Sequence, residues 1–151
     1  MDYLSRKSFT NKPTLKGLEV IIHQIPYLKK ICQEAILAPI HFHPTKLQER
    51  GFNQSNTFAQ VLQETLKANI QIENTLIRTR FTRSQITLSR ELRKKNIPKA
   101  FALSPNIKLD FKKKYILVDD VFTTGSTANA CAKVLKKAGI RSIELITLGH
   151  G

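Results

Sequence analysis

Cysteine is scarce in this chain: Cys32 and Cys131 are its only two, and no CxxC pair occurs. That excludes a zinc ribbon built from these residues, so no zinc is expected here. Both cysteines fall on apolar positions of helical patterns, which predicts buried free thiols in a reducing, cytoplasmic compartment. Long apolar runs are also missing. None approaches the roughly 20 residues a spanning helix needs. The opening MDYLSRKSFTNK is polar and unlike a signal peptide, so no membrane partner is expected. Acidic residues are few, 11 against 25 lysines and arginines, for a formal net charge of +14. Such an imbalance points to a polyanionic partner, either nucleic acid or a ligand carrying several phosphates. There is no GxxxxGK, which excludes a Walker loop. Internal repeats and low-complexity segments are absent as well.

What is there suits one soluble globular domain. The chain has 151 residues, 41% hydrophobic and 24% charged. Residues 1–14 lack apolar periodicity and are expected to form a tail before a domain spanning 15–151. Leu18, Ile21, Ile22 and Ile25 keep helical spacing, and Pro26 is well placed to begin a second short helix. In that helix Leu28, Ile31, Cys32 and Ala35 recur at i, i+3, i+4 and i+7. Both helices are expected to cover one face of a sheet. Ile36–Ile40 predicts a strand, with Pro39 at its end or on an edge. The stretch 41–52, HFHPTKLQERGF, predicts a polar, basic loop. Asn53–Asn69 predicts an amphipathic helix with Phe58, Val61, Leu62 and Leu66 inward. Ile72–Ile77 predicts a second strand. Residues 78–100 carry eight basic residues and no continuous apolar stripe. They suit either a solvated surface or a mobile lid, with Phe101 and Leu103 anchoring the far end.

Tyr115–Val118 predicts a third strand and Thr127–Ala138 a helix with Cys131, Val134, Leu135 and Ala138 inward. Gly139 stops that helix, and Ser142–Leu148 predicts a last, partly exposed strand. Strands separated by helices favour an α/β fold: a parallel sheet of about four strands flanked by helices. Ligands of such sheets bind at the carboxyl ends of strands. Those ends lead into His41, Arg78 and Asp119, the three chemically unusual stretches.

The most informative stretch is Tyr115–Thr127, YILVDDVFTTGST. Asp119 and Asp120 are adjacent acids that repel each other, so a cation or hydroxyls should meet them. They can accept hydrogen bonds from sugar hydroxyls or bind magnesium directly or through water. Thr123, Thr124, Gly125, Ser126 and Thr127 then offer hydroxyls, close backbone approach and a helix N-terminus, a cradle for phosphate. An ordinary N-cap role for Ser126 or Thr127 is compatible with that cradle. Sugar and phosphate side by side suggest a phosphorylated ribose. His41 and His43 are the nearest candidates for a general base, although a lone loop histidine is more often solvated surface.

ILVDDVFTTGST resembles the ribose-5-phosphate signature of type I phosphoribosyltransferases. The ERGFNQ loop at Glu49–Gln54, the segment Arg78–Asn96 and Ala100-Phe101 extend the likeness to the ComF group of competence-associated, phosphoribosyltransferase-like proteins. The match covers residues ~36–148, and three motifs in this order rarely arise by chance. The resemblance implies a Rossmann-like core with a basic hood or lid. It implies that Asp119 and Asp120 hold the ribose hydroxyls of phosphoribosyl pyrophosphate and that Thr123–Thr127 wrap its 5′-phosphate. Arg50, Gly51, Asn53 and Gln54 would lie on the pyrophosphate side. Arg83, Gln85, Arg90, Arg93 and Asn96 would belong to the lid. Magnesium would bridge pyrophosphate and ribose oxygens, with Asp119 and Asp120 as its protein contacts. Asp119, Asp120 and Arg50 are the catalytic candidates for pentosyl transfer. Members usually begin with a cysteine-rich zinc-binding segment that this sequence lacks, as a shortened lineage or a late start would explain.

Three functions follow from the resemblance. The first is a phosphoribosyltransferase-fold protein that binds phosphoribosyl pyrophosphate and magnesium and is associated with DNA uptake. The second is a non-catalytic competence factor for single-stranded DNA, working with a helicase partner. The third is a nucleobase-salvage phosphoribosyltransferase. The family analogy also allows a homodimer.

Overall fold

The computed structural model describes residues 12–41, 53–79 and 100–150, with side chains from residue 16 onward. Helices α1 (Lys12–His23) and α2 (Pro26–Cys32) come first, then strand β1 (Ile36–Pro39) and helix α3 (Gln54–Leu66). Two short strands follow, β2 (Gln71–Ile72) and β3 (Leu76–Arg78), and then β4 (Phe101–Leu103). The chain finishes with β5 (Tyr115–Phe122), α4 (Ser126–Lys137) and β6 (Ile143–His150). The first helix therefore begins inside the stretch expected to be tail.

The main sheet is parallel, in the order β2-β1-β5-β6. Its centre is apolar on both faces, as a sheet covered on both sides requires. Leu37, Ile116 and Val118 join Phe58, Val61, Leu62 and Leu66 of α3 and Ile22 and Cys32 of the first two helices. Ile36, Ala38, Tyr115 and Leu117 face the other way, against Cys131 and Leu135 of α4 and Leu76 and Phe101 of the short strands. The inward set expected for α3 is thus buried as read. The set expected for α1 is only partly so: Ile22 is buried, but Ile21 is 55% exposed and Ile25 is 40% exposed. An i, i+3, i+4 stripe is wider than the one line of contact α1 makes.

The expected strand over 72–77 is two strands in two sheets. Glu73 N–H donates to the Leu37 carbonyl, the last rung toward β1. Thr75 N–H then turns back to the Glu73 carbonyl, and the chain leaves the sheet. β3 pairs antiparallel with β4 instead, in the register Leu76↔Leu103 to Arg78↔Phe101. Thr79 N–H donates to the Ala100 carbonyl and closes the hairpin at the point where the basic segment leaves and returns. Glu73 and Asn74, which dilute the apolar run, mark this break. Phe101 is buried, as expected of the segment's far anchor.

Pro39 is the last residue of β1, at the strand's end as expected, and its missing N–H costs no rung. Ile36 and Ile40 donate toward β5, to the Lys114 and Val118 carbonyls, so residue 39 faces the β2 side. There β2 has already ended at Ile72. β6 is an edge strand, half-buried from Ile143 to Gly149 on both faces rather than exposed on one. Leu117 is the most telling core position, enclosed by strands on both sides and by α4. Leu117→Ala should cost about 3 kcal/mol in chemical denaturation. Gln60→Ala, on the exposed face of α3, should stay within about 0.5 kcal/mol.

Candidate functional site

The site forms where two neighbouring strands differ in length. β1 pairs with β5 only as far as Pro39↔Val118. β5 runs on, paired with β6, through Phe122↔His150. The acid pair was expected just past the strand; it lies within it, and the β6 ladder is what carries the strand through. On the side where β1 has stopped, the first turn of α3 arrives. Ser55 of that turn is fully buried, and its hydroxyl donates to Asp119 Oδ1 at 3.3 Å. This is the crevice at the carboxyl ends of a parallel sheet, between strands whose connections run in opposite directions.

Asp119 is half-buried, and its Oδ1 also accepts the Asp120 N–H at 2.9 Å. Asp120 Oδ1 accepts the Val121 N–H at 2.9 Å. Burial, reinforced by the Asp120 carboxylate, pushes the Asp119 carboxyl up to about 7. The two acids therefore resist carrying full charge side by side until a cation or donor meets them. Arg78, at the end of β3, lies with its guanidinium 5.4 Å from the centre of the Phe101 ring. Burial lowers its pKa, and the nearby Asp119 carboxylate offsets part of that effect. Asp119 itself is governed by its burial and by Asp120. The Cys131 thiol is pushed up to about 12 by burial, so it is an inert packing group, as expected.

The loop after β5 is held by its own chemistry. Gly125 has φ of 68°, a left-handed conformation that favours glycine. An added Cβ there would lie 2.9 Å from the Phe122 ring. That ring stacks with His150 at 5.7 Å between centroids, so it has little room to retreat. Gly125 is the N-cap of α4, and the Ser126 N–H reaches Thr124 Oγ1 at 3.4 Å. The Thr124 and Ser126 hydroxyls lie 2.8 Å apart. Thr123 and Thr124 are exposed, while Ser126 and Thr127 are half-buried. The loop thus presents hydroxyls and a helix N-terminus at the same strand end as the acids.

Of the remaining expected site residues, Asn53 and Gln54 are buried at the start of α3, next to Ser55. Arg50, Gly51 and His43 lie outside the described residues, as do Arg83, Gln85, Arg90, Arg93 and Asn96. Two residues were not singled out by sequence. Ser55 directly follows the ERGFNQ stretch, but nothing in its neighbours announces a bond to an acid 64 residues away. Arg78 was one cation among many; only the hairpin sets it apart. Among the described residues, no group of three or more histidines, cysteines or acids is placed to hold a metal. No described helix is long and apolar enough to cross a membrane.

The fold is that of type I phosphoribosyltransferases. A hypoxanthine phosphoribosyltransferase from Staphylococcus aureus superposes with a TM-score of 0.59 at 15% identity, over 90% of this chain and 64% of that one. A purine phosphoribosyltransferase from Pyrococcus horikoshii superposes with a TM-score of 0.53 at 13% identity, over 93% and 74%. In sequence the chain is a homologue of Competence protein F of Haemophilus influenzae. The two are 35% identical over 113 residues, 74% of this chain and 48% of that protein. The DNA utilization protein YhgH of Escherichia coli K12 is 38% identical over 96 residues, 64% of this chain and 40% of that one. The chain thus spans about half the length of the curated relatives it matches or less. No family model matches the sequence.

The raised carboxyl has a measurable consequence. The folded state holds the Asp119 proton more tightly than the unfolded chain, whose carboxyl titrates near 4. Stability is therefore lost as pH rises from about 4 through about 7, and the loss persists above. Asp119→Asn should melt about 3 °C above the native chain at pH 8, the shift that about 1 kcal/mol produces in a domain of this size. The gap should shrink toward pH 5, and thermal melts at the two pH values check it.

Proposed function

We propose that this chain binds phosphoribosyl pyrophosphate, with magnesium, in the crevice between β1 and β5. The observation that carries the reading is the meeting of Asp119-Asp120, the Thr123–Thr127 loop and the first turn of α3 at one strand end. A ribose 5-phosphate with a 1-pyrophosphate needs those three kinds of partner together. Vicinal hydroxyls donate to the two carboxylates, which favours their charged forms. The 5′-phosphate accepts from loop hydroxyls and from amides at the start of α4. The pyrophosphate falls on the side of the first turn of α3, and Arg50 and Gly51 come shortly before that turn in sequence.

Magnesium fits this donor set. Two adjacent carboxylates are hard oxygen donors, too few for an all-protein cage but suited to a cation that keeps water and phosphate ligands. Asp119 and Asp120 would hold it, and when bound it supplies positive charge beside the phosphates. The chain's own part in pentosyl transfer is positional. Ser55 orients Asp119, and the carboxylates fix the ribose so that its C1 faces an acceptor. Breaking the bond at C1 leaves positive charge on the sugar and negative charge on the pyrophosphate. Arg50 and lid cations would stabilise the departing charge. Held against the ribose hydroxyls, the carboxylates would lie near the sugar as it becomes cationic.

The relatives named for competence and DNA utilization favour a setting in DNA uptake. The net charge of +14 supports a second reading, direct contact with single-stranded DNA. Calorimetric titration with phosphoribosyl pyrophosphate and magnesium tests the first reading. The native chain should bind, and Asp119→Asn with Asp120→Asn should weaken binding by roughly 100-fold, since each charge-assisted bond is worth about 1.5 kcal/mol or more. No heat from the native chain at millimolar ligand would refute it. The DNA reading expects affinity for a single-stranded oligonucleotide to fall at least about tenfold from 50 to 200 mM salt. A flat response removes it and leaves the pocket reading standing.

A further inference from the structure

Asn53 is the residue type best suited to cap a helix, and it directly precedes α3. Its backbone, with φ of −103° and ψ of 111°, is in the extended region an N-cap occupies, yet it makes no capping bond. Its side chain is drawn elsewhere. Asn53 Nδ2 donates to His41 Nδ1 at 2.7 Å. The other oxygen-bearing arm, Oδ1, is the atom that would accept from the first turn of a capped helix. It is buried and has no partner, in a residue only 8% exposed. A buried amide oxygen without a donor is unfavourable, and the nearby helix start offers the obvious remedy.

His41, which accepts from the Asn53 amide, is held from its other side. His41 Nε2 donates to Asn74 Oδ1 at 2.7 Å. The Asn74 carbonyl in turn accepts the Ser104 hydroxyl just beyond β4. An amide nitrogen only donates and an amide oxygen only accepts, so the imidazole carries its proton on Nε2 and its lone pair on Nδ1. The ring is thus clamped between the start of α3 and the turn that leads from β2 into the hairpin. The unused acceptor of Asn53 and the uncapped turn of α3 are two sides of one arrangement.

We propose that His41 is a positioning residue: by holding the Asn53 amide group, it keeps the first turn of α3 uncapped and open to the phosphates of the ligand. The ligand half of this statement rests on the function proposed above; the helix half does not. A helix N-terminus is an anion site only while its amides remain unspent, and Asn53 is the side chain best placed to spend them.

The test compares His41→Ala with His41→Asn in the full chain. The asparagine oxygen falls near the position of Nδ1 and accepts the same Asn53 donor. In His41→Ala, Asn53 is released and caps α3. Hydrogen exchange at the Ser55 and Asn56 amides, followed by NMR, should slow by about tenfold. Affinity for phosphoribosyl pyrophosphate with magnesium should fall by about tenfold. His41→Asn should restore both to within about twofold. Imidazole nitrogen shifts of the native chain should show a neutral ring protonated at Nε2. Unchanged exchange in His41→Ala would overturn the inference, even with weakened binding, because His41 would then be only a clip. His41→Asn behaving like the alanine variant would overturn it too. Should the native chain bind no phosphoribosyl pyrophosphate, the ligand reading fails, and slowed exchange in His41→Ala still establishes control of the cap.

Discussion

Two carboxylates on consecutive residues of a half-buried strand form an arrangement that a fold must support from several directions. Asp119 and Asp120 repel each other, and burial of Asp119 raises the cost of charging it. The surroundings answer with donors. The backbone supplies two N–H groups, from Asp120 and Val121. α3 supplies the Ser55 hydroxyl, and the hairpin brings a guanidinium into electrostatic reach. A cation or further donors brought by a ligand would add to this support.

The sheet geometry decides where this happens. β5 is eight residues long and β1 only four, so β5 outruns its neighbour toward the carboxyl end. The flank of β5 that β1 leaves uncovered is where α3 begins, and the chain then continues into β2. Strand length and helix start are therefore coupled. The Phe122–His150 stack at the far end of the β5–β6 ribbon holds the ring over which Gly125 turns the chain into α4. The Thr123–Thr127 loop and the acid pair are thereby fixed to one rigid ribbon. Polar side chains on the other bank, His41, Asn53 and Asn74, tie α3 to the hairpin.

Much of this was legible in the residues themselves. The parallel α/β architecture follows from apolar runs alternating with 3.6-residue periodicity, and the inward face of α3 follows from the spacing of Phe58, Val61, Leu62 and Leu66. The acid pair and its Thr-Gly-Ser loop announce their chemistry locally, because a strand, a turn and a helix start are adjacent in sequence. The split of residues 71–78 into two sheets was not legible. A run of β-formers does not say which partner it will find, and the choice here turns on a backbone reversal at Thr75. The exposed side of α1 was not legible either, since periodicity shows that a helix has an apolar face but not how much of it is covered.

The sequence by itself determined the device at Tyr115–Thr127 and its likeness to phosphoribosyltransferase and ComF proteins, since those features reside in contiguous residues. The tertiary structure alone decided that Ser55 meets Asp119 and that Arg78 lies over the Phe101 ring. It also decided that His41 meets the Asn53 amide. Each of these joins residues distant in the chain, and local preference carries no information about such pairs. They exist only once β1 stops short, α3 folds back over the gap and the hairpin closes beside it.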